Sequence, residues 1–186
     1  MYRAELRFLP DARVKPGPDE LVAPENALVI LLNMARRDWD PLPAENLPDR
    51  LILFDGVCVL CSRWVDFIIR RDAAAQFRFV AIQTPLGHEL ATRFGITADD
   101  PESNVTIVDG RAWFKFDSVL VVLAEFPAWR WTRIAWLVPR RGRDFFYDRV
   151  ARNRYRVFGR RDACLVPTPD VRARFLDLGA ARTERS

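Results

Sequence analysis

Two cysteines three positions apart, Cys58 and Cys61, stand in the stretch LILFDGVCVLCSRWVDFIIRRD, between a short apolar run and a helix-like pattern. Thiols at that spacing serve one of three ends: a dithiol that opens and closes a disulfide, half of a metal site, or two small residues in a core. Residues i and i+3 lie on one side of a helical turn, so both sulfurs can meet without moving the backbone. Cys58 falls where the helix should begin. Unsatisfied amide N–H groups and the positive end of the helix dipole favour a thiolate there. The thiolate is the nucleophile of disulfide exchange, and Cys61 is placed to resolve the mixed disulfide that results. Asp55 suits either of two jobs. It can accept the proton that Cys61 releases, or it can shape the turn, which Asp before Gly does readily. A carboxylate so close raises the Cys58 pKa, against the helix dipole.

The remaining candidate ligands are scattered. Cys58, Cys61, Cys164 and His88 nominally make a Cys₃His zinc set, but structural zinc sites pair two tight ligand clusters, and Cys164 and His88 stand alone in the sequence. Cys164 is expected to be a packed residue, with a third redox thiol as the alternative. His88, the only histidine, falls in a polar helical pattern and is expected at the surface. The run LILFDG also has the strand-then-Asp order of haloacid-dehalogenase-type phosphatases. Those need a second Asp two positions on, and Val57 stands there, which excludes them.

The elements that must carry the thiols are legible on either side. RLILF (50–54) is a short apolar run closed by Asp55-Gly56, as expected of a buried strand. Cys61, Trp64, Val65, Ile68 and Ile69 then recur at helical spacing, with Arg63, Asp66 and Arg70 turned the other way. FRFVAI (77–82) is strand-like, and residues 86–96 read as a helix stopped by Gly95. Two further strands, within 104–116, flank Asp109-Gly110, a dipeptide suited to a type I′ hairpin turn. Asp117 or Ser118 is the expected N-cap of a helix running to Phe126. The order is β-α-β-α-β-β-α in one compact unit. Residues 127–141 and 144–161 read as helices, and Thr168-Pro169 is the expected start of a last helix ending near Gly179. Seven prolines in residues 1–49 leave room for one amphipathic element around 25–37, and Met34 offers a second candidate start.

With 186 residues, 49% hydrophobic and 29% charged, the chain can fold around a real core and is not disordered by composition. Three cysteines are too few for a secreted disulfide framework. No apolar secretory segment opens the chain, and ALVILL (27–32) is far shorter than a span of about 20 residues. A cytoplasmic protein is expected. The net charge of +4 is uneven: residues 130–161 hold 11 arginines against Asp144 and Asp148. A solvated face is the plain reading of such a run, and an anionic surface is the sharper one. Trp129, Trp131 and Trp136 among those arginines suit a membrane interface or nucleic-acid stacking. Trp129, Ile134 and Trp136-Leu137 equally suit a helix covering the sheet, and core packing is the expectation.

FDGVCVLC matches the D-x-x-C-x-x-C signature of the DCC family of thiol–disulfide oxidoreductases. The likeness continues through FIIRRD, YDRVARNRYRVFGRRDAC and PTPDVRARFL, over about residues 51–178. The resemblance implies a thioredoxin-like fold and dithiol–disulfide exchange, with Cys58 and Cys61 in the redox roles and Asp55 at the first place of the signature. One departure from thioredoxins stands out: Ser103 and Asn104 precede the third strand where those proteins carry a cis-proline, and Pro101 comes too early. The expected organisation is an N-terminal extension over 1–49, a thioredoxin-like core over 50–126 and a helical extension over 127–180. The expected activity is protein-disulfide reduction without a cofactor, acting on protein or small-molecule thiols and disulfides, with no nucleic acid. The alternatives are a zinc-binding domain, or a non-enzymatic module that docks through the Arg/Trp-rich region onto an anionic surface or a protein partner, peripheral membrane contact among them.

Overall fold

The computed structural model describes residues 39–160 and 168–176. Met34 and Cys164 lie outside them, as do the amphipathic element around 25–37 and the end of the expected C-terminal helix. Five strands form one sheet: β1 (Leu42–Pro43), β2 (Leu51–Phe54), β3 (Arg78–Ala81), β4 (Val105–Val108) and β5 (Arg111–Phe114). Their lateral order is β1-β5-β4-β2-β3. Helix α1 (Val59–Arg71) crosses from β2 to the parallel neighbour β3, and α2 (Pro85–Arg93) leads toward β4, which runs antiparallel to β2. Helix α3 (Lys115–Glu125) follows the β4–β5 hairpin, and α4 (Arg140–Phe158) follows a 3₁₀ segment over Pro127–Leu137. This is a thioredoxin-like β-α-β-α-β-β-α core with a helical C-terminal extension.

Strand β2 is buried along its whole length because both faces of the sheet are covered. Its side chains alternate between two cores, as the two-residue period of a strand dictates. Leu51 and Leu53 pack with Leu90, Ala91 and Phe94 from α2 and its C-terminal end. Ile52 and Phe54 pack with Val65 and Ile68 of α1 and Val122 of α3. The central strand therefore aims its C-terminal end, and the Asp55-to-Cys58 turn that follows, from a fixed position. Asp109 and Gly110 both have positive φ, 53° and 68°, the backbone a type I′ hairpin turn needs.

Several local expectations change in the structure. Helix α3 begins at Lys115, two residues before the expected cap, and Phe114 occupies the N-cap position without a side-chain bond. Strand β5 passes directly into the helix through Lys115, held at φ 47° with its N–H bonded to Ser103 Oγ at 2.7 Å. Asp117 is engaged elsewhere, accepting from Arg143 Nε at 2.9 Å in a buried pair. Residues 127–137 wind as a 3₁₀ helix, so only part of the segment covers the core. Trp129 meets Phe67 edge-on at 5.3 Å, whereas Ile134 and Leu137 are 65% and 81% exposed. Thr168 starts a turn, and then three 3₁₀ residues, Arg172–Arg174, instead of an α-helix. The edge of β3 claims the chain at that point: Leu176 N–H bonds Phe79 O at 2.9 Å, and Phe175 packs on Phe54 and Phe79. Leu42 and Pro43, read as extension in the sequence, pair with Ala112 and Arg111 as an edge strand, a position that tolerates proline.

Helix α2 approaches the end of β3 closely enough to require glycine at one position. A Cβ on Gly87 would sit 1.9 Å from the Ala81 carbonyl oxygen. Gly87→Ala is therefore expected to destabilise the fold by about 1–3 kcal/mol, measured by urea unfolding. An unchanged midpoint would show that α2 is not seated as described.

Candidate functional site

Beyond Phe54 the chain makes a tight turn whose bonds place both cysteines. Asp55 Oδ1 accepts from Val57 N–H at 3.1 Å, the Asx turn expected of Asp before Gly. Cys58 takes the N-cap position of α1 in extended conformation, and its sulfur accepts the Cys61 N–H at 3.3 Å. A sulfur here does what a Ser or Asp oxygen does at other helix starts. The Cys58 pKa falls to about 7 chiefly because the Cys61 thiol hydrogen-bonds to it, with the Cys61 N–H adding to the effect. Burial and Asp55 oppose that shift, and Arg154 assists it. The Cys61 thiol is pushed far above the ordinary range because its hydrogen is held by Cys58 and because it is buried. The two sulfurs thus titrate as a pair, with Cys58 carrying the charge and Cys61 the proton.

Asp55 is 3% exposed, yet it is amply partnered. Oδ1 accepts from Gln83 Nε2 at 2.8 Å as well as from Val57, and Gln83 Oε1 in turn accepts the Gly56 N–H at 2.9 Å. Oδ2 accepts the Tyr155 hydroxyl hydrogen and lies 3.8 Å from Arg154 Nη2. Arg154 also donates to Asp100 Oδ1 and to the Tyr155 oxygen, each at 2.9 Å. Burial, and then the bond to Asp55, push Tyr155 up to about 12, so it stays a donor at neutral pH. Helix α4 is consequently part of the site.

The cysteines differ in access. Cys58 is wholly buried, because residues at the end of α4 lie over it: Gly159 O accepts the Val59 N–H at 3.4 Å, and Arg160 bridges to Cys58 in antiparallel fashion. Cys61 is half-buried and opens onto two recesses. One, of about 280 Å³, is mainly apolar and lined by Trp64, Phe116, Val119, Phe146 and Val150 as well as Cys61. The other, of about 70 Å³, is walled by Asp55, Cys61, Ser103, Asn104 and Arg154. No cis peptide occurs among the described residues. Asn104 faces the thiols from the start of β4, and its N–H is already donated to Tyr147 Oη at 3.1 Å, while Tyr147 donates back to Asn104 Oδ1 at 2.8 Å. A peptide backbone would find that N–H occupied.

Among the described residues, the one set of three His, Cys, Asp or Glu ligand atoms lying within 4.8 Å of one another is Asp55, Cys58 and Cys61. His88 is exposed on α2 and takes no part in it. The Asp55 oxygens already receive N–H and O–H donors, and Cys58 holds the Cys61 hydrogen, so a metal would have to displace these bonds. The sequence singled out all three residues of this cluster, and Asn104 by its place before β4, but none of Gln83, Tyr147, Arg154 and Tyr155. Tyr147, Ala151, Arg154 and Tyr155 follow the i, i+4, i+7, i+8 pattern of one helix face, which would have pointed to them. Gln83 lies beyond the end of β3 with no comparable signal.

The family description that matches residues 52–160 is DCC1-like thiol-disulfide oxidoreductase. The chain belongs to this family. The uncharacterized protein YuxK of Bacillus subtilis (strain 168) is 36% identical over 136 residues, covering 73% of this chain and 99% of its own. A DCC family protein of Arabidopsis thaliana, named as chloroplastic, is 37% identical over 116 residues, covering 61% of this chain and 67% of its own. No solved structure matches. Membership of the DCC1-like family supports a thiol–disulfide redox role for the Cys58–Cys61 centre.

The shared hydrogen makes a specific pH prediction. Alkylation of Cys58 should titrate with a midpoint of about 7, the thiolate reacting above it and the rate falling below it. In Cys61→Ala the midpoint should rise toward the ordinary thiol value of about 8.5. Iodoacetamide kinetics with peptide mapping test both, and a wild-type midpoint already near the ordinary value would contradict the assignment.

Proposed function

We propose that this DCC1-like protein reduces disulfides by dithiol exchange. The Cys58 thiolate attacks one sulfur of a substrate disulfide, forming a mixed disulfide and expelling the first substrate thiolate. Cys61 then loses its proton and attacks the Cys58 sulfur, releasing the second substrate thiol and leaving a Cys58–Cys61 disulfide. The substrate gains two electrons and the protein loses them; a second dithiol of the cell restores the reduced pair. No cofactor is required. The observation that carries this reading is the geometry at the helix mouth: Cys58 caps α1, its sulfur accepts the Cys61 N–H at 3.3 Å, and the second sulfur lies within 4.8 Å of the first.

Asp55 is the proton acceptor in this scheme. Its carboxylate oxygen lies within 4.8 Å of the Cys61 sulfur, a gap that one water can bridge. Once Cys58 is tied up in a mixed disulfide, its charge is gone, and the larger of the two reasons for Cys61 to keep its hydrogen goes with it. The apolar recess beside Cys61 supplies a seat for an aliphatic or aromatic group flanking the substrate disulfide. Gly159 and Arg160 must part from Cys58 for the first attack, which breaks the 3.4 Å Val59–Gly159 contact.

Three variants test the scheme on a model protein disulfide, turnover being followed with dithiothreitol as the reductant and the mixed disulfide in a single turnover of pre-reduced protein with the dithiothreitol removed. Cys58→Ser should be inactive, whereas Cys61→Ser should accumulate a mixed disulfide detectable by mass. Asp55→Asn should form that mixed disulfide but resolve it about 100-fold more slowly, with wild-type unfolding. Resolution at the wild-type rate would leave Asp55 with the turn alone, and full activity in Cys58→Ser would remove the enzyme.

A further inference from the structure

The 3₁₀ segment Pro127–Leu137 has three residues per turn, so its side chains sort into three straight stripes. Trp129, Thr132 and Ala135 form the inward stripe, with Thr132 buried and the other two half-buried. Trp131, Ile134 and Leu137 form a second stripe, and they are 68%, 65% and 81% exposed. Arg130, Arg133 and Trp136 make the third. An α-helix would have scattered these residues around its axis. The 3₁₀ winding aligns three large apolar side chains beside two guanidinium groups, about 6 Å from one turn to the next.

Charge decides what covers that ridge. Residues 127–143 include five arginines and no acidic residue. Arg143 is paired with Asp117, and Arg140 with Asp40, Asp117 and Asp144. Arg130, Arg133 and Arg141 pair with no carboxylate among the described residues. The exposed stripe amounts to on the order of 400 Å², about half of the ~800 Å² that a partner contributes to a standard protein–protein interface. It is enough for shallow insertion at the boundary between headgroups and acyl chains, where tryptophan and arginine are both favoured. No helix among the described residues is long and apolar enough to cross a membrane.

We propose that the 3₁₀ ridge seats the protein on an anionic lipid surface, with Trp131, Ile134 and Leu137 inserted and Arg130, Arg133 and Arg141 against the phosphates. The inference is independent of the redox reading, since none of these residues lines either recess beside the thiols. It gives the family's thiol chemistry a place of work: disulfides of proteins held at that surface.

Flotation of the full chain with lipid vesicles tests it. Vesicles of phosphatidylglycerol and phosphatidylcholine in equal parts should carry the protein upward, and phosphatidylcholine alone should carry far less. Replacing Trp131, Ile134 and Leu137 together by Ser should weaken binding more than about tenfold. Arg130→Gln and Arg133→Gln should each weaken it about fivefold. These residues are exposed, so circular dichroism should match the wild type, and Cys58→Ser should float as the wild type does. Failure to float on anionic vesicles, or equal flotation of the triple variant, overturns the proposal. So does a dimer in sedimentation that the triple variant abolishes, which would make the ridge a contact between copies of the chain.

Discussion

The N-cap at Cys58, whose sulfur accepts the Cys61 N–H at the mouth of α1, is the constraint on which the site depends. It gives two residues of the same type opposite chemical characters. Cys58 accepts from both the thiol and the amide of Cys61 and is eased toward the thiolate. Cys61, as the donor, is held protonated. The geometry needs an N-cap at residue 58 and a helix beginning at Val59. Those in turn need β2 to end at Phe54 and the Asx turn at Asp55 to close. Burial of Ile52 and Phe54 against α1 fixes strand and helix to each other, so the core sets the relation between the sulfurs.

The second layer of the site is electrostatic, and its signs are mixed. Asp55 lies close enough to oppose a thiolate, and Arg154 close enough to support one. Tyr155 and Gln83 donate to the Asp55 carboxylate and disperse its charge. Because Arg154 and Tyr155 both come from α4, the C-terminal extension completes the surroundings of the cysteine pair instead of decorating them. Gly159 and Arg160, just past that helix, cover Cys58, so access to its sulfur and the tuning of its neighbour are mechanically linked.

The core and the cysteine pair could be read from the sequence because they rest on local rules. A buried run closed by Asp-Gly, helical spacing after Cys58, and Asp109-Gly110 in a hairpin each carry their own physical signal. What the sequence withheld depends on competition between distant residues. Asp117 is a good cap by type, but the buried Arg143 guanidinium takes it, and α3 starts earlier. Residues 127–137 have apolar spacing that fits an α-helix, yet the segment winds three residues to the turn between Pro127 and Pro139 and turns Ile134 and Leu137 outward. Thr168-Pro169 is a sound helix start, overruled when β3 pairs with Phe175 and Leu176. The partners of Asp55 were hidden for the same reason: Gln83 and Tyr155 lie 28 and 100 positions away.

Dithiol exchange requires Cys58 and Cys61 to give up their hydrogens for a bond with each other, and mass mapping of thiols in protein poised against glutathione measures that directly. The prediction is a Cys58–Cys61 disulfide that appears and disappears reversibly along a two-electron curve, about tenfold in the oxidised-to-reduced ratio for every 30 mV. Thiols that stay free across the whole range, or that form only glutathione adducts and never the internal bond, would contradict it.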